Sequence, residues 1–291
     1  VTTELREKKP VKEQSGSGSD DAAVRLQTDG PLARVTIDNP SQRNAMTVSM
    51  WESLSELLDR IAADSDIRAL VVTGAGDRAF CAGASIDDLT VAMDDPAEMR
   101  RQNALIRDVQ MKLQRLPRPT LAVVRGACYG GGCGLALACD IRLAETSATF
   151  AITPAKLGIL YSLPDTKRLI NAVGAANARD MLLTGLPVTA ARAQQIGLIQ
   201  HLADTPLLQQ KEQELVESLV NNSQYSLRWS KATVEFLAGV ECATGEDGKA
   251  AENALLQAFD EAFDGRDFRE GSSAFRERRK PFFRWPEDGE D

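Results

Sequence analysis

The chain has 291 residues, 43% of them hydrophobic and 26% charged, enough apolar material for a core that stands without disulfide or metal staples. With 34 basic against 42 acidic residues the net charge is −8, which excludes a broad nucleic-acid face unless the cations segregate sharply; a polyanionic ligand has to be met by a local site. No apolar run is long enough to cross a bilayer.

Residues 1–21 are polar, mixed in charge and contain Ser-Gly-Ser-Gly-Ser, a composition that reads as a disordered tail. Residues 31–38 read as a strand, 47–63 as an amphipathic helix and 67–73 as a short buried strand running into a Gly-Ala-Gly-Asp turn. Helical spacing spans 96–116, residues 120–125 are β-rich, and 130–139 are small and apolar ahead of a strand that begins at Asp140. Helices are expected over 175–184, 190–196 and most of 206–263. Strands alternating with helices, then helices alone, describe an α/β body over 22–205 with a helical C-terminal region over 206–291. The closing stretch from Phe275 sets Arg276, Arg278, Arg279, Lys280 and Arg284 beside Phe282, Phe283 and Trp285. It reads either as a solvated tail or as a segment that docks on a partner subunit or an anionic ligand.

Cys81, Cys128, Cys133, Cys139 and Cys242 sit in apolar or glycine-rich surroundings with no signal peptide ahead of them, so reduced, buried thiols in a cytoplasmic protein are expected. There is no Cys-x-x-Cys pair, and His201 is the single histidine; zinc is not expected, and a Ser-His or Cys-His catalytic pair has only His201 to draw on. His201 itself reads as a packed or surface histidine.

Two glycine-containing elements carry the chemistry. The first, Ala79-Phe80-Cys81-Ala82-Gly83-Ala84-Ser85-Ile86-Asp87-Asp88-Leu89, follows a strand and turn, and its small residues let a ligand lie against bare backbone. In the second, Gly126-Ala127-Cys128-Tyr129-Gly130-Gly131-Gly132-Cys133-Gly134 opens an apolar helix whose first N–H groups have no partner within the helix. Neither fits a phosphate-binding P-loop or a dinucleotide fingerprint.

In this order and at this separation the two motifs resemble those of the crotonase superfamily, the enoyl-CoA hydratase/isomerase family. Arg43-Asn44-Ala45-Met46, Asp140-Ile141-Arg142-Leu143-Ala144 and the stretch from Thr184-Gly185 to Gly197-Leu198 extend the resemblance. It implies a crotonase-type α/β spiral of ββα units, a helical C-terminal region used in trimer or dimer-of-trimers formation, no prosthetic group, and an acyl thioester of coenzyme A or a carrier's pantetheine as substrate. By position, the backbone N–H groups of Ala84 and Gly131 would hold the oxygen of a thioester enolate; donors fixed before charge develops need little reorganisation. The resemblance also puts Arg43, Ala82 and Ala84 near the pantetheine and phosphates, and gives Lys280 and Phe283 a role at a neighbour's coenzyme A.

The chain departs from the family where the hydratases carry two glutamates: it has Gly134 and Pro154, and neither side chain transfers a proton. Residues 150–162 instead resemble the matching segment of methylmalonyl-CoA decarboxylase, with Thr153 and Tyr161 in place to orient a substrate carboxylate without adding negative charge. Asp165 is a candidate acid or base that also reads as a helix cap, Asp87 and Asp88 read as helix-start acids, and Ser162 without a histidine is a poor nucleophile. The expectation is decarboxylation of a malonyl-type thioester through an enolate. The alternatives are a hydratase, isomerase or thioester hydrolase with relocated acid–base groups, and a non-catalytic thioester-binding member.

Overall fold

The computed structural model describes residues 22–239 and 246–284, so the expected tail, Cys242, Trp285 and the acidic close lie outside the described residues. The described strands form two sheets. A six-stranded sheet runs β1 (Ala23–Asp29), β2 (Leu32–Asp38), β3 (Ala69–Gly74), β5 (Thr120–Val124), β7 (Ile141–Glu145) and β10 (His201–Ala203), with β1 antiparallel to β2 and every later pairing parallel. A four-stranded sheet runs β4 (Ala79–Cys81), β6 (Ala127–Tyr129), β8 (Thr149–Ala151) and β9 (Val188–Thr189).

The chain visits the sheets alternately. After β3 comes β4 and the helices α2 (Ile86–Ala92) and α3 (Pro96–Gln114); after β5 comes β6 and α4 (Gly131–Leu137); after β7 comes β8 and α5 (Leu163–Thr184). This is the ββα spiral that the resemblance implies. β3 is buried along its whole length because it has a core on each face: Leu70 and Val72 join the main cluster, Ala69 and Val71 a second one with Leu208 and Leu219.

Helix formation follows the periodicity and the caps. α1 (Val48–Ala63) starts where Thr47 Oγ1 accepts from the Met50 N–H, and it buries Met50, Trp51, Leu54, Leu58 and Ile61 at helical spacing. α3 starts at Asp95, whose carboxylate accepts from Ala97 and Glu98 N–H, with Pro96 in the first turn. Burial of each large aliphatic side chain of this kind is worth about 1.5–3 kcal/mol.

Several elements differ from the sequence reading, and β4, β6, β8, β9 and β10, each only two or three residues long, were not expected as strands. β1 was not expected; it is a largely exposed edge strand whose mixed polar composition lacks clear alternation. α5 begins at Leu163, not 175, with non-helical geometry at Gly174 (φ 74°) inside it. Beyond α6 (Ala190–Gln195), α7 (Thr205–Asn221), α8 (Gln224–Leu237) and α9 (Glu246–Asp264), the chain forms α10 (Arg266–Glu277), so Phe275 closes a helix and does not open a tail.

Candidate functional site

Two backbone crossings bring the expected donor residues, Ala84 and Gly131, together. Met46 forms a parallel bridge with Ala84: its N–H donates to Gly83 O at 2.8 Å, and its carbonyl accepts from Ser85 N–H at 2.9 Å. Both bonds belong to Ala84's neighbours, so the Ala84 N–H faces away from the bridge. Asn44, 1% exposed and left-handed (φ 58°), pins the strand ends: its side chain accepts from Asn39 N–H at 3.0 Å and donates to Ala75 O at 3.0 Å and Ala79 O at 2.7 Å. Gly83 has φ 110°, a conformation closed to residues with a Cβ, and a Cβ there would lie 3.3 Å from Gly131 N. A Cβ on Gly131 would in turn lie 3.6 Å from Ala84 N. Ala84 and Gly131 thus stand side by side on one space. A Cβ on Gly132 would collide with the Cys81 carbonyl, which is why α4 can approach β4 so closely.

The space is a cleft of about 270 Å³ lined by Ala82, Ala84, Ser85, Gly130, Gly131 and Thr153, with Ile86, Leu89, Pro154, Leu157 and Ile159 on its outer walls. Larger cavities of about 1100 Å³ and 500 Å³ lie among α8–α10 and between α5 and α8, away from the N–H pair. Thr153 precedes the short 3-10 turn Pro154–Leu157, and a Cβ on Gly130 would stand 3.4 Å from its hydroxyl. Asp87 lines the cleft and is exposed, whereas Asp88 accepts from Val48 N–H at 2.7 Å and so caps α1.

Behind the cleft lies a buried polar cluster. Position 134 has no room for a side chain: a Cβ there would be 2.5 Å from the Gln110 side-chain amide and 2.7 Å from Asp165 Oδ1. Asp165 is 4% exposed. Its Oδ1 accepts from Arg168 Nη1 at 2.8 Å and its Oδ2 from Ser162 Oγ at 2.7 Å; with the Gln110 amide turned so that its nitrogen faces Asp165, that nitrogen donates to both oxygens at 3.0 and 3.1 Å. Ser162 Oγ accepts from Asp165 N–H at 3.1 Å, so the capping role expected for this segment belongs to Ser162 with Asp165 as its reciprocal partner. Burial raises the Asp165 carboxyl above the usual aspartate range, against the lowering effect of Ser162 and Arg168. The Tyr161 hydroxyl donates to Gly130 O at 3.4 Å, and burial, with Asp165 nearby, pushes the phenol well above its usual value. Tyr161 thus stands behind Gly130, outside the cleft lining on which Thr153 sits.

Of the residues expected at coenzyme A, Ala82 and Ala84 line the cleft. Arg43 is exposed and left-handed (φ 51°), and its carbonyl accepts from Ala82 N–H at 3.1 Å. Lys280 is exposed, and Phe283 lines the cavity among α8–α10 together with Gly271, so a single chain does not bring this pair to the cleft.

Gln110 and Arg168 were not singled out as site residues in the sequence. The signal was present: Gln102, Gln110 and Gln114 recur along one face of α3 and are all buried, a place where polar side chains need dedicated partners. Arg168 Nε donates to Gln114 Oε1 at 2.7 Å and closes the network. The four described cysteines are buried and unbridged, with the Cys81 and Cys139 thiols pushed up to about 12 by burial. His201 is half-buried on β10, its imidazole lowered by burial and by Lys211. No helix among the described residues is long and apolar enough to cross a membrane.

Known proteins match over most of this length. The sequence profile of the family "Enoyl-CoA hydratase/isomerase" matches residues 27–286. The short-chain-enoyl-CoA hydratase of Clostridium acetobutylicum is 31% identical over 257 residues, 88% of this chain and 95% of the relative. The (E)-benzylidenesuccinyl-CoA hydratase of Thauera aromatica is 31% identical over 266 residues, 90% of this chain and 98% of that one. The crystal structure of an enoyl-CoA hydratase from Bacillus anthracis superposes with a TM-score of 0.80 at 27% identity, covering 89% of this chain and 98% of its own.

Proposed function

This chain belongs to the enoyl-CoA hydratase/isomerase family, the crotonase superfamily, whose members act on acyl-CoA thioesters, and from that premise we propose that it moves a proton beside the thioester carbonyl, isomerising or hydrating an enoyl-CoA with Asp165 as its relocated acid–base group. One observation carries the reading: the Asp165 carboxylate occupies the space that a side chain on residue 134 would fill, three residues along α4 from the Gly131 N–H.

The chemistry follows from that arrangement. The Ala84 and Gly131 N–H groups donate hydrogen bonds to the thioester oxygen as negative charge develops on it; a donor of this kind is typically worth about 2.7–4 kcal/mol of barrier. The ionised carboxylate takes a proton from the carbon chain, the electrons pass into a dienolate held at the N–H pair, and the carboxylic acid returns the proton at the other end of the conjugated system. One group suffices for that 1,3-shift, so isomerisation fits a single carboxyl better than hydration, for which the family employs two. The raised Asp165 carboxyl suits a group that must hold the proton as well as release it.

The names of the relatives favour this alternative over the decarboxylation read from residues 150–162. Loss of CO2 is the rival outcome, with Thr153 on the cleft wall as the hydroxyl that would hold a substrate carboxylate. The deciding experiment gives the purified protein 3-enoyl-CoA, crotonyl-CoA and malonyl-type thioesters in separate reactions. Enoyl isomerisation or hydration, lost in Asp165→Asn, supports the proposal; CO2 release that survives Asp165→Asn and is lost in Thr153→Val replaces it. We also propose a homotrimer or dimer of trimers, in which Lys280 and Phe283 serve a neighbour's coenzyme A; the exposed Phe259, Phe263, Phe268 and Phe275 of α9 and α10 support this, and light scattering tests it.

A further inference from the structure

We infer that the acyl chain of the substrate leaves the cleft outward, across an apolar rim shared by α2 and residues 157–160, and that the enzyme therefore prefers medium to long acyl chains over short ones. The inference rests on the acyl-CoA reading above and adds the substrate class.

The thioester oxygen has one fixed point, the space between Ala84 N–H and Gly131 N–H. From there an acyl chain can run inward past position 134 or outward over the cleft walls. The inward route is closed and polar: the Asp165 carboxylate, the Gln110 amide and the Arg168 guanidinium fill it, every one of them hydrogen-bonded. Carbons 2 to 4, on which Asp165 is proposed to act, stop at this wall; an alkyl chain continuing past it would have to part buried charged groups, at far greater cost than its own burial returns.

The outward route is apolar on both sides except at Asp87. Ile86 and Leu89 face the cleft from α2, and Leu157 and Ile159 face it from the segment after the 3-10 turn. These walls continue past the cleft. Met93 lies two helical turns beyond Ile86 on the same face of α2 and is 71% exposed; Leu160, next to Ile159, is 94% exposed. Ile86, Leu157 and Ile159 are themselves half exposed. Large side chains converging from two elements on one cleft, and still open to water, form a patch that gains from covering. The cleft's continuity with the N–H pair names the acyl chain as what covers it. Asp87, the one charged side chain on the described lining, also lies on that wall and marks where an alkyl chain is not carried.

Isothermal titration of saturated butyryl-, octanoyl- and dodecanoyl-CoA, below their micellar concentrations, measures this without turnover. Full burial of a methylene is worth roughly fourfold in affinity, and an open rim covers the chain only in part, so octanoyl-CoA is expected to bind about tenfold more tightly than butyryl-CoA. The double variant Leu157→Ser with Ile159→Ser is expected to flatten that dependence. Equal affinities along the series, or a dependence that survives the double variant, overturn the inference and leave the acyl-CoA reading standing. A double variant that shifts the oligomeric mass while keeping the dependence overturns it by making the rim an interface between copies. Failure of the wild-type protein to bind any of the three thioesters overturns both.

Discussion

The two sides of the α4 start are built from different materials. Toward the cleft, the Ala84 and Gly131 N–H groups come from backbone alone, placed by the Met46 bridge, the Asn44 side chain and glycines that let β4 and α4 touch. Away from it, the cluster of Gln110, Ser162, Asp165 and Arg168 is made of side chains from α3 and α5, each held by the others. A backbone-built half keeps its function through almost any change of side chain that leaves the crossing intact. A side-chain-built half can change its chemistry by substitution, but each buried member that goes leaves its partners unsatisfied, so such changes come in sets.

Substitutions can break that contrast. Gly132→Val drives a branched side chain into the Cys81 carbonyl, so stability should fall by about 3 kcal/mol or more, with activity lost alongside it in a thermal melt and an assay run together. Asp165→Asn should lower kcat about 10²–10³-fold with little change in KM, since proton transfer is removed and binding is not; near-wild-type turnover would leave the cluster purely structural.

The pH profile sharpens the comparison further. Because the Asp165 carboxyl is raised by burial, activity that needs it ionised should fall on acidification at a pH above the usual aspartate value of about 3.9. Gln110→Leu removes a donor to the charged form, so that acid limb should move higher still, with about a tenfold loss of kcat at neutral pH. A structural role alone would lower stability and leave the limb in place. The smallest effect is expected at Asp87, where Asp87→Asn should change kcat by no more than about twofold, the residue being an exposed helix-start acid on the cleft wall.

Legibility followed the same division. The proposed donor positions follow from the family resemblance that the glycine-rich motifs carry, glycine being what backbone needs where it must approach backbone, and the buried strands β3, β5 and β7 announced themselves as apolar runs. β1 and α10 could not be read that way, the first an exposed edge with mixed polarity and the second a short, highly charged helix. Gly134 and Pro154 stood out as missing glutamates, but which group fills the space at 134 depends on α3 and α5 meeting there, Gln110 and Asp165 being far apart in the chain. The expected roles of Lys280 and Phe283 met a similar barrier, since one copy of the chain does not carry them to the cleft.

The absent side chain at 134 also constrains how this enzyme can be altered, by selection or by design. A glutamate cannot simply be written back, because its first carbon would land within 2.7 Å of both Gln110 and Asp165. Gly134→Glu alone should be worse than either parent arrangement, and only a partner change at 110 and 165 makes it tolerable, a strongly non-additive set. The glycine thus closes the single-substitution route to a carboxylate at this position.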